Sequence, residues 1–330
     1  MWVTILNILF VSLIAISFAM VASQSHGEDL QAAIQLMKQG QKLIDQARYR
    51  EAIDVFKKME TSCGSNDECN AAALFWIGRS YLELSLYKEA EHFVDRAQEK
   101  FGAMRKPLEE ASALYLKARI LQGRNDYSSA LDFYNQAEDL FKRHGKADNL
   151  EMLYLLVNRA RLYIYQSQYE RALHDVSTAR KLLGARANPQ IRGLLAECEG
   201  LTASEKGQYP QAIKLFDEAI RFHREAGNRP AECATLNKRG RAYESLGEYS
   251  KALTDYESSV NVARQFGNKA EEAFAWNNIG MVHRKRGNYE KSLKAYDTAL
   301  KLRSPDAQPQ FYTETLANRA WASYLVKSDA

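Results

Sequence analysis

The apolar and polar positions between residues 200 and 302 follow one pattern, which occurs three times. Each copy begins with a glycine, a polar residue and a tyrosine, and continues with apolar residues at three- and four-residue spacing. This spacing places the apolar residues on one face of an amphipathic helix. The copies read GQYPQAIKLFDEAI, GEYSKALTDYESSV and GNYEKSLKAYDTAL, and they begin at Gly207, Gly247 and Gly287. Their common period of 40 residues is typical of an array of stacked helical repeats.

The same period continues towards the start of the chain and predicts seven repeats. Their central tyrosines are Tyr49, Tyr87, Tyr127, Tyr169, Tyr209, Tyr249 and Tyr289. A small residue lies three residues after each tyrosine, at Ala52, Ala90, Ala130, Ala172, Ala212, Ala252 and Ser292. Another lies nine residues before it, at Gly40, Gly78, Ala118, Ala160, Gly200, Gly240 and Gly280, and Ala320 continues this series. Because helices cross closely where side chains are small, we predict an all-α fold in which each repeat is a pair of crossing helices.

With these positions in register, the chain resembles the tetratricopeptide repeat family over residues 40–320. The usual repeat of that family has about 34 residues and a proline that closes the second helix. Here the period is near 40 and that proline is missing, so the chain is similar to the longer repeats of kinesin light chains. The resemblance implies a right-handed superhelical solenoid of antiparallel helix pairs over residues 24–330, with a C-terminal capping helix over residues 311–327. Glycines replace the closing proline, and we expect a left-handed backbone at Gly102, Gly145, Gly184, Gly227 and Gly267.

Residues 1–23 form a segment without charged side chains, and we expect it to be a targeting segment. A signal peptide could be cleaved after Val21, Ala22 and Ser23, whereas an uncleaved run over residues 2–22 is long enough to anchor the chain in a membrane. No lysine or arginine precedes the run, which is unusual for both, and a buried core helix is the third alternative. We therefore expect an exported protein, periplasmic or extracellular, with or without a membrane anchor.

Cys63 and Cys69 are separated by six residues, in the turn that follows the first repeat. In an exported protein such a pair favours a short loop-closing disulfide. Two free thiols or a weak metal clip are the alternatives. Cys198 and Cys233 lie on first helices of different repeats and are expected to be small buried residues.

The remaining composition offers no catalytic or cofactor chemistry. The six histidines are scattered without ligand spacing to one another, to cysteines or to carboxylates, and the glycines are isolated, which excludes a phosphate-binding loop. A net charge of only +4 argues against a dedicated nucleic-acid surface. We therefore predict a protein that is not an enzyme, binds no cofactor or metal, and has no nucleic-acid partner. An accessory subunit of a separate enzyme is the alternative from another class.

In repeats of this kind the first helices line the inner, concave wall, so function is expected there. One position holds Arg79, Arg119, Arg161 and Arg241, and another holds Asn158, Asn278 and Asn318. Arginine can bind the carboxylates of an extended peptide with both arms of its guanidinium, and asparagine can hydrogen-bond its backbone. We predict a peptide-binding groove made of Phe75, Trp76, Arg79, Tyr115, Arg119, Tyr154, Asn158, Arg161, Lys238, Arg241, Asn277, Asn278 and Asn318. The alternative is a solvated face in which each arginine pairs with a neighbouring acid such as Glu83 or Glu244, and some of the aromatic residues belong to the core.

These expectations combine into one functional hypothesis. The chain is an exported, non-enzymatic scaffold that binds an extended, acidic segment of a partner protein in its concave groove, and alanine at both Arg119 and Arg161 should weaken that binding. The alternative is an assembly factor that self-associates or docks as a structural subunit of a cell-envelope or membrane-associated complex. Exposure of Trp321, Tyr324 and Leu325 on the last helix would favour this alternative, because a true cap has a polar outer face.

Overall fold

The computed structural model describes residues 27–145, 150–184, 188–303 and 309–328. These residues form fifteen α-helices and no strand, which confirms the predicted all-α fold. The predicted targeting segment, residues 1–23, lies outside the described residues. None of the described helices combines the length and the apolar character that crossing a membrane requires.

The helices belong to two compact units, divided at Ala185. The helices of unit 1 are α1 (Gly27–Asp45), α2 (Tyr49–Ser62), α3 (Asp67–Glu83), α4 (Tyr87–Ala103), α5 (Pro107–Gly123), α6 (Tyr127–His144), α7 (Leu150–Tyr165) and α8 (Tyr169–Leu183). The helices of unit 2 are α9 (Pro189–Glu205), α10 (Tyr209–Glu225), α11 (Arg229–Ser245), α12 (Tyr249–Gln265), α13 (Lys269–Lys285), α14 (Tyr289–Leu302) and α15 (Pro309–Ser328). Within each unit every helix packs against the next, so each repeat contributes a first and a second helix.

The second helix of every repeat begins at its central tyrosine. Two residues before that tyrosine the backbone is left-handed, at Ala47, Ser85, Asn125, Ser167, Gly207, Gly247 and Gly287. A single left-handed residue ends the first helix and reverses the chain, so the turn within each repeat is short. Only the last three repeats use glycine, the residue that adopts this conformation without steric cost.

The turns between repeats differ from the prediction at two of the five glycines. Gly184, Gly227 and Gly267 have positive φ angles, as expected. Gly102 instead lies inside α4, because that helix continues to Ala103 and the left-handed residue of this turn is Arg105. Gly145 caps α6 in an extended conformation with φ −81° and ψ 157°.

The glycines nine positions before a tyrosine receive a side chain from the second helix, which is an aromatic ring at Gly40, Gly200, Gly240 and Gly280 and Val94 at Gly78. A Cβ atom built on Gly240 would lie 2.6 Å from Cε1 of Tyr256, and one on Gly280 would lie 2.6 Å from Cε1 of Tyr296. Both tyrosines are fully buried. The ring of the second helix therefore fills the space that a side chain on the first helix would take, which explains the small residue at this position.

The Cα atoms of Cys63 and Cys69 are 5.4 Å apart, at the turn between α2 and α3. This separation is within the range that a disulfide requires. Cys198 and Cys233 are buried, as expected of small core residues.

Candidate functional site

In unit 1 the first helices α3, α5 and α7 border a cleft of about 520 Å³. The cleft lies at the C-terminal ends of these helices and includes two of the left-handed turn residues. Its lining residues are Leu82, Glu83, Ser85, Tyr87, Arg119, Gln122, Gly123, Asn125, Tyr127, Asn158 and Tyr165. Two of the predicted groove residues, Arg119 and Asn158, are therefore part of it, and both are partly exposed.

Both of these side chains already have partners inside the unit. Nη2 of Arg119 donates a hydrogen bond of 3.2 Å to Oε1 of Glu83, on the neighbouring first helix. Burial disfavours the charged guanidinium of Arg119, but the carboxylate of Glu83 outweighs it and raises the pKa. Nδ2 of Asn158 donates to the hydroxyl of Tyr115 at 2.7 Å. For Arg119 the structure therefore agrees with the alternative interpretation, in which each arginine pairs with a neighbouring acid.

The predicted aromatic anchors of unit 1 are core residues, which corrects the predicted groove. Trp76 has no exposed surface and stacks on Phe56, with ring centroids 5.8 Å apart. Phe75 is also buried, as are all of residues 71–80 of α3, because other helices pack around this helix. Tyr115 and Tyr154 are likewise buried in α5 and α7. These four side chains hold the repeats together and present almost no surface to a partner.

Arg79 is also buried, at 5% exposure, and lies over the indole of Trp76 at 5.0 Å from the ring centroid. Burial is the main influence on this guanidinium and lowers its pKa, with Arg119 acting in the same direction. Arg161, on α7, is partly exposed. Although they share one repeat position, the three arginines of unit 1 therefore differ in accessibility, and they do not form a uniform exposed row.

In unit 2 the first helices α11 and α13 and the start of α15 border a second cleft, of about 280 Å³. Its lining residues are Ala234, Asn237, Lys238, Arg241, Ala270, Glu271, Phe274, Arg303 and Phe311. Two predicted groove residues, Lys238 and Arg241, are brought together here. Arg241 is exposed and makes no hydrogen bond or ion pair with any residue that the structure describes.

The other charges of this cleft are held in place by their neighbours. Nζ of Lys238 lies 3.3 Å from Oε1 of the buried Glu197. The guanidinium of Arg303 lies 5.0 Å from the ring centroid of Phe311, which meets Phe274 edge to face at 6.3 Å. Burial raises the pKa of Glu271, although Lys238 opposes this shift. The cleft therefore holds three cations and one acid beside an aromatic wall, and it suits a carboxylate next to an apolar side chain.

The predicted asparagines lie mostly below this surface. Asn277 and Asn278 are buried in α13, and Asn318 of α15 is partly exposed. Nδ2 of Asn318 lies 3.4 Å from Oδ1 of Asn277, so these two amides link neighbouring first helices. Asn278 therefore does not offer its amide to a peptide in this structure.

Arg303 and Phe311 were not among the predicted groove residues. Arg303 follows the last residue of α14, where the repeat pattern assigns no position. Phe311 falls inside the predicted cap but before its periodic small residue, Ala320. Neither carries a repeated signal, so the period alone could not have indicated them.

A second row of cations, ten residues before the tyrosine positions, was also not predicted. It comprises Lys117, Arg159 and Arg239, and Arg319 continues the series. Arg159 binds Asp175 with two hydrogen bonds of 2.8 Å and Glu138 of the preceding helix with one of 2.6 Å. Lys117 pairs with Asp95, Arg239 with Asp217 and Asp255, and Arg319 with Asp297. Asp95, Glu138, Asp217 and Asp297 lie on the second helix of the preceding repeat, whereas Asp175 and Asp255 lie on the second helix of the same repeat. The row therefore ties each of these first helices to neighbouring second helices within its unit.

Comparison with known proteins identifies the family. Models described as tetratricopeptide repeat match residues 77–144, 194–265 and 273–304, which together make up just over half of the chain. Tetratricopeptide repeat protein 36 of Bos taurus is 33% identical over 139 residues, which cover 42% of this chain and 67% of that protein.

Solved structures share the fold at low sequence identity. A Rap protein complexed with competence and sporulation factor has a TM-score of 0.67 at 17% identity, covering 90% of this chain and 87% of that one. The apo form of the quorum sensor NprR from B. thuringiensis has a TM-score of 0.64 at 14% identity, covering 98% and 95%. A tetratricopeptide repeat protein from Parabacteroides merdae has a TM-score of 0.57 at 16% identity, covering 87% and 99%. The matches of the family models and the bovine relative show that the chain belongs to the tetratricopeptide repeat family.

Proposed function

We propose that this protein is an interaction scaffold that binds an extended, acidic segment of a partner protein along its first helices. The cleft of unit 2 is the main contact. The observation that carries this proposal is Arg241, which is exposed beside Lys238 and an aromatic wall and has no described partner. The protein acts by holding its partner, and not by catalysis.

The charge of the cleft favours an acidic segment. A partner carboxylate that reaches Arg241 gains a charge-assisted hydrogen bond without first displacing another acid. Lys238 and Arg303 add positive charge nearby, whereas Glu271 is the one acid of the lining and burial raises its pKa. In unit 1 the equivalent Arg119 is already neutralised by Glu83. We therefore assign the acidic contact to unit 2.

The spacing of the helices favours an extended segment. Packed helices lie about 8–10 Å apart, and an extended chain rises about 3.3 Å per residue. A peptide that crosses the first helices therefore advances by about three residues from one first helix to the next. About every third residue of the peptide lies against a helix. Phe274 and Phe311 offer an apolar contact next to the arginines, so a segment that alternates acidic and aromatic or aliphatic residues fits best.

The comparisons support a binding role of this kind. The Rap protein that shares this fold was solved in complex with competence and sporulation factor, and NprR is described as a quorum sensor. Their likeness to this chain concerns the fold alone. The occupant that we propose here is chosen from the residues of unit 2, and not from those proteins.

An exported location is part of the same proposal. It rests on the uncharged segment over residues 1–23 and on the close approach of Cys63 and Cys69, which we propose to be disulfide-bonded. Disulfides form and persist in oxidising compartments such as the periplasm and the extracellular space.

The test uses fluorescence anisotropy with the full chain and a labelled synthetic peptide. The probe has about twelve residues of alternating Asp, Glu, Leu and Phe, enough to cross the three first helices of the cleft. Arg241→Ala should weaken binding about tenfold, since it removes a charge-assisted contact, and Arg241→Glu should weaken it further. Added salt should weaken binding to the native chain, because exposed charges are screened.

Two controls separate the cleft from general attraction between a basic protein and an acidic peptide. Arg286→Ala removes the same charge from an exposed position after α13, outside the cleft, and should leave the affinity unchanged. A peptide with Asn and Gln in place of Asp and Glu should bind at least about tenfold more weakly. Equal losses in Arg241→Ala and Arg286→Ala, or equal affinity for both peptides, would contradict the proposal.

A further inference from the structure

The last helix, α15, exposes an apolar stripe. Leu316, Trp321 and Tyr324 are 43%, 56% and 65% exposed, and the rings of Trp321 and Tyr324 lie 6.5 Å apart. Ala317 and Ala320 are exposed on the same side of the helix. Large aromatic side chains are rarely left in water in this number on one helix face, so the stripe is a candidate interaction surface.

The repeat pattern shows what this face is built to contact. In the preceding repeats of unit 2 the small residues Gly240 and Gly280 are covered by the rings of Tyr256 and Tyr296 from their second helices. Ala320 occupies the equivalent position, 40 residues after Gly280, yet no described helix covers it. At the equivalent positions of the two preceding repeats an aromatic ring packs on the small residue, so the exposed surface at Ala320 has the shape to receive one.

The stripe is complementary to itself. When two copies of α15 pack antiparallel about a two-fold axis midway between residues 320 and 321, Ala320 of one copy faces Trp321 of the other. The same symmetry brings Ala317 opposite Tyr324 and Glu314 opposite Lys327. All of these residues are exposed. Each large ring then meets an alanine and each acid meets a lysine, which is the size and charge matching that a specific helix pair requires.

We propose that this protein forms a homodimer through α15, with the aromatic rings of one copy filling the alanine positions of the other. A two-fold contact uses the same surface on both copies, so it closes at the dimer and does not propagate into a filament. A pair of helices of twenty residues is about 30 Å long. An interface of that size falls in the weak or transient class, and we expect dissociation in the micromolar range.

The test is sedimentation velocity of the full chain at concentrations from about 1 to about 200 µM, which bracket the expected dissociation constant. The native chain should change from monomer to dimer over this range. Trp321→Ala and Tyr324→Ala should each weaken association at least about tenfold, because both remove a ring from the centre of the contact. Since these side chains are exposed in the single chain, helicity by circular dichroism should stay unchanged.

A charge exchange tests the antiparallel register. Glu314→Lys alone and Lys327→Glu alone each place like charges opposite one another twice per dimer and should weaken it about tenfold, whereas the double variant should restore association. Glu99→Lys and Lys58→Glu are the matched controls, because they make the same charge changes at exposed positions of α4 and α2. A chain that stays monomeric at every concentration would overturn the proposal. So would a dimer that is indifferent to Trp321→Ala, or a double variant as weak as the single ones.

Discussion

The contact between Gly240 and Tyr256 makes a quantitative test of the repeat packing. A Cβ atom at position 240 would lie 2.6 Å from Cε1 of Tyr256, closer than atoms of real side chains approach one another. The ring cannot move away easily. It has no exposed surface, and its hydroxyl donates a hydrogen bond of 3.0 Å to Oε2 of Glu244. We therefore predict that Gly240→Ala destabilises unit 2.

Two opposing effects set the size of the loss. Alanine is favoured over glycine in the interior of a helix by about 1 kcal/mol, so the substitution taken alone would stabilise α11. Forcing an extra methyl group into a packed core costs about 1–3 kcal/mol. Because Tyr256 is held on all sides, we take the middle of that range, about 2 kcal/mol. The expected net effect is a loss of about 1 kcal/mol in the free energy of unfolding.

The assay is urea unfolding followed by circular dichroism, with Gly240→Ala compared in two backgrounds. In the native background the unfolding midpoint should fall. In Tyr256→Leu the ring that causes the clash is gone, while Glu244 keeps its ion pair with Lys285 at 2.8 Å. There the same substitution should raise stability by about 1 kcal/mol, the helix preference alone. An equal change of stability in the two backgrounds would refute the packing argument.

Two further predictions concern an acid at the start of α7 and the cysteine pair. Burial raises the pKa of Glu151 from 4.5 to about 7, although the hydrogen bond with Ser112 opposes this shift. Between pH 4.5 and about 7 the folded state keeps a proton that the unfolded state has lost, so this carboxyl group lowers the free energy of unfolding as pH rises. In urea unfolding across this range, Glu151→Gln should therefore lose less stability with rising pH than the native chain. An equal dependence of stability on pH in the two proteins would contradict this prediction. If Cys63 and Cys69 are bonded as proposed, replacing both with serine should cost about 2 kcal/mol of unfolding free energy without reductant. The same comparison in reductant should show no difference, and a cost that persists there would mean that the thiols act through packing alone.

The repeat architecture could be predicted from the sequence because it depends on contacts that recur with the period. Each second helix begins at its tyrosine because the turn before it repeats the same left-handed geometry. The residues at which the second helices end were predicted less well. Gly102 lies inside α4 because that helix continues to Ala103, and Arg105 adopts the left-handed conformation in its place. A glycine signals that such a conformation is possible, but it does not fix which residue of the turn adopts it.

The groove was harder to predict because the accessibility of a side chain depends on its neighbours in space. Phe75 and Trp76 have helical spacing that suits either the groove or the core, and the packing of α3 between its neighbours buries both. Arg119 is neutralised by Glu83, 36 residues earlier, as the alternative of a solvated face expected. The repeat positions identified which side chains are equivalent, whereas their exposure and charge pairing varied from one repeat to the next.

The two arginines of α11 show how one helix separates structural from recognition chemistry. Arg239 and Arg241 are two residues apart, so their side chains point about 200° apart around the helix. Arg239 faces the second helices, where Asp255 and Asp217 bind it and raise its pKa against the effect of burial. Removing one member of such a partly buried cluster leaves the other charges uncompensated, so Arg239 is committed to stability. Arg241 faces the cleft and has no described partner to lose. The guanidinium that can bind a carboxylate of another protein is therefore the one whose removal costs the fold least.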